Sequence, residues 1–110
     1  MQISIANQTN RAWDLWQTAF NKYQDSMKAA WQAEREAGWA AEREEQDMCF
    51  EKAQELKVQY CPDDEAEKFH QLTLIRMREA AVLREAGLKE AKRIFDAEVS
   101  AILEASETAK

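Results

Sequence analysis

The sequence predicts an all-α fold: a long antiparallel helical hairpin of coiled-coil character, to be completed by self-association or by a partner protein. Three observations predict it. The 110-residue chain has only two glycines and one proline, so little interrupts a helix. A third of its residues are charged, and Ala, Glu, Lys, Leu and Arg dominate, a composition typical of long helices. Near the start, Trp13, Trp16, Phe20, Tyr23 and Met27 recur at alternating steps of three and four, which is the seven-residue repeat of a helix-packing seam.

Residues 1–9 are polar apart from Met1, Ile3, Ile5 and Ala6, and are expected to form a flexible N-terminal arm. Thr9 or Asn10 suits an N-cap, because a side-chain oxygen there accepts from the first free N–H groups. The remainder, 10–110, is expected to be one domain, with a first helix over about 10–60 that only Gly38 interrupts. Its apolar stripe thins to Ala30, Trp31, Ala37 and Ala41, then returns as Met48, Cys49, Leu56 and Tyr60.

Cys61-Pro62-Asp63-Asp64 is the one clear break. Proline disfavours a helical residue before it, so the first helix should stop near Tyr60. Asp63 or Asp64 then caps a second helix over about 65–106, with Glu67 completing a variant of the capping box. The acids of that first turn also suit the positive end of the helix dipole. One stripe on this helix is Leu74, Met77, Ala81, Leu88, Ala91, Phe95, Val99 and Ile102. A second, adjacent stripe is Phe69, Leu72, Ala80, Leu83, Ile94 and Ala101. Together they span about half the helix circumference, more than one neighbour covers. A protein partner or a homodimer is therefore expected.

Two repeats stand out. In Ala29–Glu44, AAWQAEREAGWAAERE, an eight-residue phrase recurs. Eight residues turn a side chain by about 80° on an ideal helix, so Trp31 and Trp39 do not share a stripe. Trp31 aligns with Trp13, Phe20 and Leu56, and Trp39 points sideways. The other repeat is Arg-Glu-Ala-Gly at 35–38 and again at 84–87. Folding the chain about the Pro62–Asp63 bond brings Gly38 level with Gly87, a pairing that suggests a close helix crossing. By the same register Trp13 and Trp16 face beyond the C-terminus and need another cover.

Little points to catalysis. His70 is the sole histidine, no nucleophile has a recognisable setting, and no glycine-rich phosphate loop is present. Cys49 and Cys61, twelve apart along a helix, would lie roughly 18 Å apart, too far to bridge, and read as free thiols in a reducing compartment. Asp63, Asp64, Glu65 and Glu67 resemble a hard-cation cluster, but capping and the dipole account for them without a metal. No cofactor and no metal is expected, and the chain reads as a non-enzyme.

Charge is more informative. Residues 42–67 carry ten acids against three bases, a net −7, whereas the whole chain carries −6. An acidic tip repels nucleic acid and attracts basic protein surfaces, so direct nucleic-acid binding is not expected. The aromatic stripe lacks a lysine-rich flank, and no apolar run has spanning length, so neither membrane-surface binding nor insertion is expected. With no basic n-region followed by an apolar stretch at the N-terminus, the expected location is cytoplasmic.

The functional expectation is a small acidic protein-interaction module: an adaptor, an assembly factor or an inhibitor of a larger machine. Its binding residues would be Trp13, Trp16, Phe20, Tyr23 and Trp39, the types enriched at binding hot spots, or the acids Asp63, Asp64, Glu65 and Glu67. Two alternatives stand beside it. One is an acidic inhibitor of a nucleic-acid-handling enzyme, in the manner of a DNA mimic or a phage-encoded antagonist of host defence. The other is a structural scaffold subunit.

Overall fold

In a computed structural model the chain forms two long helices packed as a hairpin, with no strand among the described residues. Backbone is described for residues 2–108 and side-chain surroundings for residues 10–107. Helix α1 runs Gln2–Leu56 and α2 runs Asp63–Thr108. Helical backbone thus begins ahead of the cap expected at Thr9 or Asn10, and Asn10 lies inside α1. The side chains of Ile3, Ile5 and Thr9 lie outside the described residues.

The packing divides into two compact units, residues 1–29 with 86–110 (unit 1) and residues 30–85 (unit 2). In unit 2 the later part of α1 packs on the earlier part of α2 across the link 57–62. Its buried positions are Ala41, Ala53, Thr73 and Ala80. Thr73 is the only buried polar residue of the described chain, and its hydroxyl donates to the Phe69 carbonyl one turn back, 3.2 Å away. Among the described residues of unit 1 the buried ones are Ala19 and Ala91, and no large side chain among the described residues of either unit is fully buried. Small side chains on facing helices let the backbones approach closely, because interaxial distance follows the size of the contact residues.

The inward positions of α1 in unit 2 are Ala30, Glu34, Gly38, Ala41, Glu45, Met48, Cys49, Lys52 and Ala53. They keep helical spacing but carry charge where a coiled coil has leucine. Those charges are matched from α2: Glu34 meets Arg84 and Glu45 meets His70, with Glu44 and Arg76 paired at the flank. The buried seam is therefore alanine flanked by ionic contacts, with Met48, Phe69, Leu74 and Met77 half-buried along it and many other large apolar groups exposed.

The first helix ends four residues earlier than the proline alone predicts. Lys57 adopts a left-handed backbone, φ 57°. Its N–H donates to the Gln54 carbonyl (3.1 Å), and the Val58 N–H donates to the Ala53 carbonyl (3.0 Å). That bond pair is a Schellman cap, which satisfies carbonyls that the helix end would otherwise orphan. On the other side of the link the Pro62 carbonyl accepts from Ala66 (2.9 Å), so Pro62 holds the cap position of α2. Asp63, Asp64 and Glu65 form its first turn, one place further in than a capping aspartate would sit. Their contribution is to the helix dipole.

The earlier stop changes the register. The midpoints of the pairs Glu45–His70, Glu44–Arg76 and Glu34–Arg84 fall between residues 57 and 60, inside the link and not on the Pro62–Asp63 bond. Gly38 accordingly borders Met77 of α2. A Cβ added at Gly38 would meet nothing within 4 Å, so the close crossing expected there is not formed.

Two stability changes follow from this geometry. Lys57→Gly removes the strain of a side chain in the left-handed region and should stabilise the fold by about 1 kcal/mol. Gly38→Ala adds a methyl in open space inside a helix and should stabilise by up to ~1 kcal/mol. Urea unfolding followed by circular dichroism checks both; a loss of stability in Gly38→Ala would show that the position is crowded after all.

Candidate functional site

The aromatic stripe of α1 is a built cluster in unit 1. Trp13 stacks on Trp16 with ring centroids 5.4 Å apart, and Trp16 stacks on Phe20 at 5.0 Å. Phe95 from α2 closes the group. It meets Trp16 and Phe20 edge-on at 6.4 and 6.1 Å and stacks on Tyr23 at 4.9 Å. Such geometries suit the ring quadrupoles and add to the area that the rings bury. Trp16, Phe20, Tyr23 and Phe95 are half-buried, whereas Trp13 is 61% exposed. Phe95 thus supplies part of the cover that the sequence leaves open for Trp16, and Trp13 remains at the surface. Lys22 and Glu98 pair across the helices at 2.8 Å beside the cluster. A small cavity of about 120 Å³ lies there, bordered by Ala19, Tyr23, Ala91 and Phe95.

Unit 2 holds a second cluster that the sequence did not reveal. The Arg84 guanidinium lies 4.3 Å from the centre of the Trp31 ring and is salt-bridged to Glu34. Both charged side chains are largely withdrawn from solvent, with 18% of Arg84 and 28% of Glu34 exposed. Trp31 and Glu34 are three apart on α1 and so project to neighbouring positions, and Arg84 reaches both from α2. The available signal was the Trp31–Glu34 spacing together with an arginine at the matching level. That level was misplaced because the pivot of the hairpin was.

Trp39 stands apart from both clusters. It is more than half exposed and borders an open groove of about 280 Å³ with Glu34, Arg35, Gly38, Glu42 and Met77. The missing side chain of Gly38 helps to form this groove. Of the four acids proposed for binding, Asp63, Asp64 and Glu67 are exposed and Glu65 is half-buried. Glu65 lies 3.7 Å from Lys68, and Glu67 accepts from the Gln71 amide at 2.7 Å. The structure therefore gathers four of the predicted residues (Trp13, Trp16, Phe20, Tyr23) in unit 1 and places Trp39 and the acids in unit 2.

His70 and the cysteines complete the inventory. The His70 Nδ1 lies 3.1 Å from Glu45, a cross-helix contact at the surface. Cys49 and Cys61 are both free and half-buried. They do not lie on one helix as expected, because α1 stops at Leu56 and Cys61 falls in the link. Burial first, then Cys61 and Glu45, push the Cys49 thiol above its ordinary value. Among the described residues no group of three or more His, Cys, Asp or Glu is arranged to hold a metal ion, and no helix is long and apolar enough to cross a membrane. No protein-family model matches the chain, and neither a curated protein nor a solved structure matches it significantly.

The two clusters predict distinct losses. Phe95→Ala should destabilise unit 1 by about 2–3 kcal/mol, and Trp13→Ala by under ~1 kcal/mol, since Phe95 packs against the rings of the other helix whereas exposed Trp13 stacks on Trp16 of its own helix. Arg84→Ala leaves Glu34 without its partner and uncovers Trp31, and should cost about 2 kcal/mol, with Arg84→Lys recovering a minor part. Equal effects of Phe95→Ala and Trp13→Ala in chemical denaturation would show that the cluster is not a cross-helix contact.

Proposed function

We propose that this chain is a small cytoplasmic, non-enzymatic protein-interaction module, acting as an adaptor, an assembly factor or an inhibitor of a larger protein machine. One observation carries the reading: the hairpin buries alanine and presents its large apolar residues outward. On one side of α2 in unit 2 lie Leu72, Ile75, Val82 and Leu83, exposed by 45, 47, 67 and 73%. On α1, Trp39 and Phe50 lie eleven apart, three helical turns, and are likewise exposed.

The energetics point the same way. Burying an alanine methyl contributes on the order of 0.8 kcal/mol, a fraction of what a buried leucine contributes. A short chain with such a core depends on further burial to be stable. Exposed apolar residues set among charges are a common feature of protein-binding faces. The outer face of α2 carries two such pairs, Leu72 with Ile75 and Val82 with Leu83, with Arg76 and Glu79 between them.

A second reading, an acidic inhibitor of a nucleic-acid-handling enzyme, draws on the exposed Asp63, Asp64 and Glu67 within the −7 segment 42–67. The two readings differ in salt response. Apolar docking survives moderate salt, whereas capture through the acidic turn weakens with it.

Sedimentation of the purified protein, with affinity capture at low and moderate salt, tests the proposal. Val82→Glu with Leu83→Glu should abolish self-association or partner capture and leave helicity unchanged. Reversing Asp63, Asp64, Glu65 and Glu67 to lysine should leave it intact. If the first variant associates and captures as the wild type does, the apolar face is not the binding surface. If only the second loses its partner, the acidic reading replaces the first.

A further inference from the structure

The exposed residues on the outside of α2 in unit 2 follow an order that reads alike from either end. Leu72 and Ile75 come first, then Arg76, then Glu79, then Val82 and Leu83. Both charged residues are exposed, as the four apolar ones are. On an ideal helix the six fall within about 120° of arc, outside the arc of the buried Thr73 and Ala80. The order is symmetric in apolar character and antisymmetric in charge. An arginine stands on one side of the centre and a glutamate on the other.

That is the pattern a surface needs in order to bind its own copy. In a two-fold contact, if one residue meets a second, the second meets the first, so the patch must be complementary to itself. Place a second α2 antiparallel to the first, with the axis midway between Met77 and Arg78. Leu72 is then level with Leu83 of the other copy, and Arg76 is level with Glu79. Ile75 and Val82 come within about 3 Å of one level. The edges agree as well. Ile75 and Val82 lie on one edge of the face and Leu72 and Leu83 on the other, and a two-fold axis across antiparallel helices sets each edge against itself. Arg76 and Glu79 are also neighbours within one helix, being three apart. Two copies therefore bring four charges together in alternating sign around the axis. Glu44 of α1 pairs with Arg76 from the flank.

We propose that this face binds a second copy of the chain, α2 antiparallel to α2, with two apolar layers on either side of a ring of Arg76 and Glu79 from both copies. The inference rests on the reading of this face as a protein-binding surface and names its partner. From Leu72 to Leu83 the face is only about 18 Å long. A contact of that size lies at the low end of specific interfaces, so the dimer is reversible, with a dissociation constant of roughly 1–100 μM.

Sedimentation equilibrium of the purified full chain over about 1–500 μM tests this. The wild type should pass from the mass of one chain to that of two. Glu79→Arg places four positive charges at the axis, and Arg76→Glu places four negative ones. Each should raise the dissociation constant about tenfold or more. Glu79 belongs to none of the cross-helix ion pairs of unit 2, so its reversal leaves those contacts of the hairpin in place. The combined Arg76→Glu, Glu79→Arg variant restores the alternation and should recover the wild-type constant to within about threefold, with helicity by circular dichroism unchanged. In a parallel pairing like charges already face each other, so equal dimerisation of the wild type and both single variants would overturn the proposed axis. Failure of the combined variant to recover at full helicity would overturn it too. A wild type that keeps the mass of one chain throughout would overturn the dimer. If that monomer still captures a protein and Val82→Glu with Leu83→Glu abolishes the capture, the binding face stands and the second copy is not its occupant.

Discussion

Ala41, Ala53 and Ala80 are buried between the helices of unit 2, and Ala19 and Ala91 between those of unit 1. Close approach along these alanines is the constraint from which the other features follow. A seam whose buried residues are small leaves the larger apolar groups at most half-buried along it, as Phe69, Leu74, Met77 and Phe95 are, or on the outer faces, as Leu83 and Phe50 are. The same closeness brings charged residues within reach across the seam, and Glu34, Glu45, Arg84 and His70 use it. Where such a pair is withdrawn from water, specificity of register is the gain most easily argued, since desolvation offsets much of the Coulomb attraction.

The link between the helices sets that register. A lysine takes the left-handed cap position that glycine usually fills, and the helix turns back at Leu56 although proline comes only at residue 62. Moving the stop by one turn moves every facing pair in unit 2. It places Arg84 over Trp31 and beside Glu34, and leaves Gly38 facing open space next to Met77. It also puts Cys61 in the link, off the helix that carries Cys49. Three features of unit 2 that look unrelated thus share one cause, the position of the cap.

Much of the candidate site was legible, though not all. The stripe Trp13, Trp16, Phe20 and Tyr23 could be read directly, because steps of three and four place side chains on one helix face whatever the partner is. The acids after Pro62 could be read too, because the first turn of a helix favours negative charge by a local rule. Phe95 as the closing residue could not be read, nor the Trp31–Glu34–Arg84 cluster, since each joins residues fifty or more positions apart. An error of a few residues at the turn is enough to mispair them.

By itself the sequence determined the helices, their number and the acidic first turn of the second. Composition, apolar spacing and the Cys-Pro-Asp-Asp break are local signals, and local hydrogen bonding and sterics suffice to read them. Only the tertiary structure decided which apolar residues are inside. A tryptophan and an alanine at adjacent seam positions carry the same periodicity, and periodicity ranks the larger one as core. Packing ranks them the other way here, because two helices that meet on alanine exclude whatever is larger, and the register of that meeting depends on a backbone angle at Lys57 that no pattern of side chains announces.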